Sequence, residues 1–248
     1  MDRMLYVSMA GARQIMMAQT VNANNLANVN TTGFRADMAN FSSMPVKGPS
    51  ADSRVYTVAG QAGVDLAPGS VRTTGRDLDV AVNGEGYIAV QAPDGSEAYT
   101  RAGDLQVNVL GQLVTGKGAP VLGNGGPIVI PAYEKLEIGT DGTITVRPIG
   151  QDAATLAVVD RIKLVKPDPA TLDKGEDGLL RTPVDAGPAV PDPAVKITSG
   201  ALEGSNVSAV GAMVDMINLS RQFEMQVKIM KAAEDNDRSS STLMRMTG

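Results

Sequence analysis

Residues 207–230 read VSAVGAMVDMINLSRQFEMQVKIM, and in them Ala209, Met213, Met216, Ser220, Phe223, Val227 and Met230 step by 4, 3, 4, 3, 4, 3. That is a heptad seam with one polar member, the spacing of a helix that lays one stripe against another helix. Past Met230 the register meets Glu234 and Asp237, so the apolar seam weakens before Met244 and Met246. The pattern predicts a helix over about 207–246, with Ser205 or Asn206 as its N-cap. Its charges balance, five basic (Arg221, Lys228, Lys231, Arg238, Arg245) against five acidic (Asp215, Glu224, Glu234, Asp235, Asp237). A helix that lies on a membrane surface carries a basic polar face, which this one lacks.

The opposite end repeats the design. Leu5, Met9, Ala12, Met16, Gln19, Ala23 and Leu26 again step by 4 and 3, predicting a helix over about 3–28. It runs into Asn22, Asn24, Asn25, Asn28 and Asn30, then Thr31-Thr32-Gly33. Short polar side chains compete there for backbone hydrogen bonds, and Gly33 is free to take the left-handed conformation that closes a helix or turn. Isolated helices are marginal in water, so the two ends are expected to pair, to be loose in the monomer and to become ordered on assembly.

Between the ends the chemistry changes. All thirteen methionines lie in residues 1–44 or 213–246, and all fourteen prolines in 45–193. Proline breaks helix interiors, whereas methionine favours helices and adapts to irregular apolar contacts. Leu78-Asp79-Val80-Ala81-Val82 alternates, with Asp79 expected to face solvent; Asn83-Gly84 follows as a turn, then Tyr87-Ile88-Ala89-Val90. Asp94-Gly95, Asp141-Gly142 and Asp177-Gly178 are further hairpin signals. Residues 143–147 and 156–165 read as strands, and 183–193, with four prolines, as an irregular surface loop. The expected fold is mainly β with α-helical termini: an N-terminal helix and turn (1–35), an extended linker (36–75), an all-β domain (76–204) and a C-terminal helix (205–248). The flanking helices are of the coiled-coil-forming kind.

Composition narrows the function. There is no cysteine and no histidine, which removes thiolate nucleophiles, cysteine-rich zinc sites and the commonest general base and metal ligand. Net charge is −5 with no cluster of Lys and Arg, against nucleic-acid binding. The opening MDRMLYVSMA lacks the apolar core of a cleaved signal peptide, and no stretch approaches the roughly 20 apolar residues of a membrane span. Carboxylate pairs occur at Asp77/Asp79, Glu134/Glu137 and Glu176/Asp177, but glycoside hydrolysis needs two flanking a sugar site, one with a raised pKa. GNGGP (123–127) lacks the Lys-Ser/Thr of a phosphate-binding loop and reads as a turn. No catalytic, cofactor-binding or metal-binding residue is assigned, no cofactor is expected, and no small-molecule substrate.

NNLANVNTTGFR (24–35) resembles the N-terminal signature of the rod and hook proteins of the bacterial flagellar axis. LDVAVNGEGYIAV (78–90), YTRAGDLQVNVLGQLVTGKGAPVLG (99–123) and ALEGSNVSAVGAMVDMINLSRQFEM (201–225) resemble further blocks of that family, in the same order. Within it, the length and the opening MDRMLYVSMAGARQ look most like a proximal-rod subunit. The resemblance implies a coiled-coil inner layer of paired terminal helices carrying an outer β domain. It also implies export through the flagellar type III apparatus without a cleaved signal peptide, and a place in the periplasm-spanning rod that transmits torque. Other rod subunits are then the partners. The residues expected to pack between subunits are Leu5, Met9, Met16, Leu26, Met213, Met216, Phe223, Val227 and Met230. Asn25, Asn28, Gly33 and Phe34 match the family's turn signature, with Leu26 and Phe34 as buried anchors and Asn25 and Asn28 as hydrogen-bonding groups between subunits. The alternatives are a distal-rod or other axial sibling, and a secreted β-domain binding module or hydrolase oligomerised by its helices.

Overall fold

The computed structural model describes residues 3–39, 41–45, 55–59, 63–150, 156–183 and 187–246. The chain forms two compact units, one comprising Met1–Ala27, Asp37–Asp65 and Val207–Gly248, the other Asn28–Ala36 and Leu66–Asn206. It is mostly β, with one helix at each end.

In the first unit α1 (Arg3–Ala27) packs along α2 (Ala209–Met246). Both lie within two residues of the predicted limits, but the contact stripe differs. On α1 the buried positions are Ser8, Ala12 and Ala18, with Gly11, Ile15, Asn22 and Asn25 half-buried; of the seam read from apolarity, Ala12 is buried and Gln19 and Leu26 half-buried, whereas Leu5, Met9, Met16 and Ala23 are exposed. On α2 Ala212 and Ala233 are buried and Ala209, Met216, Leu219, Phe223, Gln226 and Met230 half-buried; of the expected seam, Met213, Ser220 and Val227 are exposed. Two close contacts mark the pair: a Cβ on Gly11 would stand 3.3 Å from the Gln226 carboxamide, and the Asn22 side chain donates to the carbonyl of Ala212 at 2.7 Å. The cap of α2 is Ser208, whose hydroxyl accepts from the Gly211 N–H at 3.2 Å, in place of Ser205 or Asn206.

The stretch expected as a linker contains strands. Asp37–Met38 pairs antiparallel with Gly63–Val64, and Phe41–Pro45 with Val55–Ala59. Its weak pattern on paper reflects strands too short to show a period.

Among the described residues the second unit is all-β apart from a 3-10 turn at Pro169–Thr171. Its largest sheet is antiparallel, in the order Leu164–Val165, Tyr87–Gln91, Glu97–Thr100, Leu180–Arg181, Asp173–Lys174. A three-stranded sheet is built from Tyr133–Ile138, Thr143–Pro148 and Ala157–Arg161. The chain's return path pairs Lys196–Ser199 with Val80–Asn83 and Ala201–Glu203 with Val71–Thr73. The core gathers Val80, Ile88, Val90, Leu105, Leu113, Val121, Ile128, Ile144, Ile162 and Ile197.

Three of the four Gly-containing turns close hairpins as read: Asp94-Gly95, Asp141-Gly142 and Asp177-Gly178. Asn83-Gly84 does not, because Val80–Asn83 takes its partner from Lys196–Ser199, far along the chain. Residues 79–82 are all buried, so this strand does not alternate. Asp79 is tolerated inside because Arg76 Nε lies 2.9 Å from one of its oxygens and the Thr74 hydroxyl donates to the other at 2.7 Å. The single strand read at 156–165 divides into Ala157–Arg161 and Leu164–Val165, which join different sheets.

Candidate assembly surfaces

The residue types that chemistry would need are tied up structurally. Glu134 pairs with Arg147 at 3.1 Å, Glu137 with Lys135 at 2.5 Å, and Asp177 with Arg181 at 2.6 Å. Hydrogen bonding to Arg181 holds Asp177 below the usual carboxylate range, and Lys135 does the same for Glu137. The carboxyl pushed upward is Asp104, chiefly by burial, with the charge of neighbouring Asp79 adding to it. Among the described residues, no group of three or more potential ligands could hold a metal ion. No helix among them is long and apolar enough to cross a membrane.

What the molecule does present is apolar surface. Several large apolar side chains on both helices turn outward. Tyr6 (52% exposed), Met9 (53%) and Met16 (56%) stand out from α1, with Leu5, Val7 and Met17 beside them. Val210, Met213, Val214, Ile217, Met225 and Val227 do the same on α2. Of the residues expected at subunit contacts, Leu5, Met9, Met16, Met213 and Val227 are therefore exposed, while Leu26, Met216, Phe223 and Met230 are half-buried within the chain.

The Asn-rich turn divides between the units. In the first, Asn25 spends its carboxamide on the backbone of Asp37, donating to the carbonyl and accepting from the N–H, each at 2.8 Å. In the second, the Thr31 hydroxyl and N–H both donate to Asn28, at 3.1 Å. Gly33 has φ +66°, and a Cβ there would lie 2.2 Å from the backbone nitrogen of Ala102. Its N–H donates to the Glu203 carbonyl at 2.8 Å. Phe34 is buried, with Lys174 Nζ 3.9 Å from its ring centre.

Next to this turn sits an ionic cluster that sequence reading missed. Glu203, 1% exposed, meets Arg35 at 2.5 Å and Arg101 at 2.9 Å, and accepts from the Gly69 N–H at 2.8 Å. Arg101 also donates to the Gly84 carbonyl at 2.7 Å and lies over the Tyr87 ring. Asn206 completes the junction, accepting from the Ala36 N–H at 2.8 Å and donating to the Ala67 carbonyl at 3.2 Å. Three separate segments, 33–36, 67–69 and 203–206, are thus tied together at the edge of the β unit. No local pattern announces pairs 168 and 102 residues apart.

Known proteins resemble the chain along its whole length. Residues 5–35 match the family described as flagella basal body rod protein. Residues 81–146 match the flagellar hook protein FlgE/F/G D1 domain, and 198–243 the flagellar basal body rod FlgEFG protein C-terminal region. Flagellar basal-body rod protein FlgF of Escherichia coli is 43% identical over 252 residues, with all of both chains covered. The chain belongs to the flagellar basal-body rod protein family. FlgF of Salmonella typhimurium is 42% identical, again over both full lengths. FlgG of Bacillus subtilis is 32% identical, over 95% of this chain and 96% of that one. Among these relatives the rod subunit lies nearer the FlgF proteins. It is a structural component of the flagellar basal body, and other rod subunits are its partners.

Proposed function

We propose that this subunit builds the proximal part of the rod by polymerising through its terminal helices, and that it acts by contact rather than by catalysis. The observation that carries this reading is the exposure of Met9, Met16, Met213 and Ile217, each more than half accessible on paired helices. Each such side chain offers about 1.5–3 kcal/mol when it leaves water. In the assembled rod α1 and α2 form a coiled-coil layer, and its outer faces meet neighbouring subunits. Half-buried Leu26, Met216, Phe223 and Met230 serve the pair and its neighbours alike. The β unit supplies lateral contacts and spacing. Heterologous contacts that fail to close into a ring produce a helical assembly. The subunit reaches its site through the flagellar type III apparatus and sits in the periplasm-spanning part of the basal body. The greater identity to FlgF than to FlgG supports a proximal position.

The test replaces Met213 and Ile217 together by Asp. Both are surface positions, so the unfolding free energy of the purified protein should change by no more than about 0.5 kcal/mol per site. Incorporation into basal bodies should fall to background. Normal rods from the double variant would overturn the proposal.

A further inference from the structure

An asparagine or aspartate followed by glycine is where a chain most readily attacks its own side chain, because glycine puts no Cβ in the path of its backbone nitrogen. This chain has two Asn-Gly pairs, at 83–84 and 124–125, and three Asp-Gly pairs, at 94–95, 141–142 and 177–178. Four of the five are held by hydrogen bonds. In the Asp-Gly turns the glycine N–H closes the turn: Gly95 donates to the Ala92 carbonyl at 2.9 Å, Gly142 to Gly139 at 2.9 Å and Gly178 to Gly175 at 3.0 Å. Hydrogen bonds from Ser96 to Asp94, from Thr143 to Asp141 and from Arg181 to Asp177 hold each carboxyl below its usual range. Bonding of this kind favours the charged form, and a carboxylate is a poor electrophile. Asn83 ends the strand Val80–Asn83 opposite Lys196, and its carboxamide oxygen accepts from the Thr198 hydroxyl at 3.0 Å. The Gly84 carbonyl is pinned as well, accepting from Arg101 at 2.7 Å.

Asn124-Gly125 has no such restraint. Both residues are exposed, in the bend between the paired Leu122 and Pro127. Among the described residues neither the Asn124 carboxamide nor the Gly125 N–H has a hydrogen-bond partner. A Cβ built on Gly125 would meet nothing within 4 Å, so the bend has room to move.

We propose that Asn124 is a site of spontaneous covalent modification, closing a succinimide with Gly125 and ageing to aspartate and isoaspartate. The Gly125 nitrogen attacks Cγ of Asn124. The N–Cγ bond forms, the Cγ–Nδ2 bond breaks, and the amide nitrogen leaves as ammonia with the proton that the Gly125 nitrogen gives up. Water then opens the ring. Addition at Cγ leaves an ordinary aspartate; addition at the main-chain carbonyl carbon of residue 124 leaves an isoaspartate, whose backbone runs through Cβ and Cγ. Either product puts a new negative charge on the rim of a cavity of about 420 Å³ that Glu97 and Lys163 also line. The isoaspartate also adds a methylene to the backbone inside the turn that the Gly123 N–H closes on the Gly126 carbonyl at 2.7 Å. The chemistry is independent of how the subunit assembles.

The purified full chain, held folded in mildly alkaline buffer, is sampled over time, digested with trypsin and its peptides weighed. Cleavage after Lys117 and Lys135 releases 118–135, in which Asn124 is the sole asparagine, and cleavage after Arg76 and Arg101 releases 77–101, in which Asn83 is. The mass change of acid for amide should accumulate many-fold faster in 118–135, with part of the product accepting methyl groups from an isoaspartyl methyltransferase. In urea, where both pairs are free, the two peptides should age at similar rates. Gly125→Ala should slow the change in 118–135 several-fold, leaving 77–101 and the circular dichroism as they were. Equal rates in the folded chain, a difference that persists undiminished in urea, or an unchanged rate in Gly125→Ala would each overturn the proposal.

Discussion

Replacing Glu203 by Gln isolates the contribution of the buried ionic junction. The wild-type cluster has one carboxylate between two guanidinium groups, all at most 5% exposed. Glu203→Gln keeps the shape and an acceptor for the Gly69 N–H, but leaves two buried positive charges facing one neutral amide. Removing one partner of a buried pair costs about 3–5 kcal/mol, because the remaining charge is uncompensated. For a protein of this size each kcal/mol lowers the melting temperature by about 2–4 °C, so the expected drop is roughly 6–20 °C. Arg35→Met is the control. It leaves Glu203 paired with Arg101 and restores local neutrality, so its cost should stay near 1–2 kcal/mol. Thermal unfolding followed by circular dichroism, with urea midpoints at unchanged m-value, gives both numbers. Because the charges are buried, added salt should alter neither loss appreciably. A loss below about 1 kcal/mol for Glu203→Gln, or a greater loss for Arg35→Met, would refute the reasoning.

Gly33→Ala should cost more than about 1 kcal/mol of unfolding free energy measured by urea titration, since it meets both a positive φ and the Ala102 backbone. Asn25→Ala removes two hydrogen bonds to Asp37, and should speed hydrogen exchange at the Asp37 amide with a loss of about 1–3 kcal/mol. The Asp104 carboxyl is pushed upward by burial, so the folded state binds its proton more tightly than the unfolded chain does. Its contribution therefore favours folding at acid pH and is lost as the pH rises through its folded-state pKa. Asp104→Asn should raise the urea midpoint above that of the wild type at pH 7, and the advantage should vanish in acid; a variant less stable than the wild type at pH 7 and equal to it in acid would reverse the sign.

The helix limits were legible because two long segments keep a period that nothing in the middle shares. The face was legible only in part. Counting apolarity selects Ala12, Met216 and Phe223, which are buried or half-buried, but also Met9, Met16 and Met213, which are exposed, and it passes over Ser8, Ala18 and Ala212, which are buried. Turn chemistry located three hairpins from Asp-Gly dipeptides, since their closing bonds lie within a few residues. It misread Asn83-Gly84 because the partner strand at 196–199 lies more than a hundred residues downstream. The Arg35–Glu203–Arg101 junction was illegible for the same reason, although Gly33 and Phe34 beside it were singled out by the family signature. Asn206, read as a helix cap, instead ties Ala36 and Ala67 together.

The most direct test of the central claim is electron microscopy of basal bodies from a strain that lacks this chain. The account predicts rods that stop short of the hook, with the stopping point in the proximal segment. Complete hooks and filaments in that strain would contradict it.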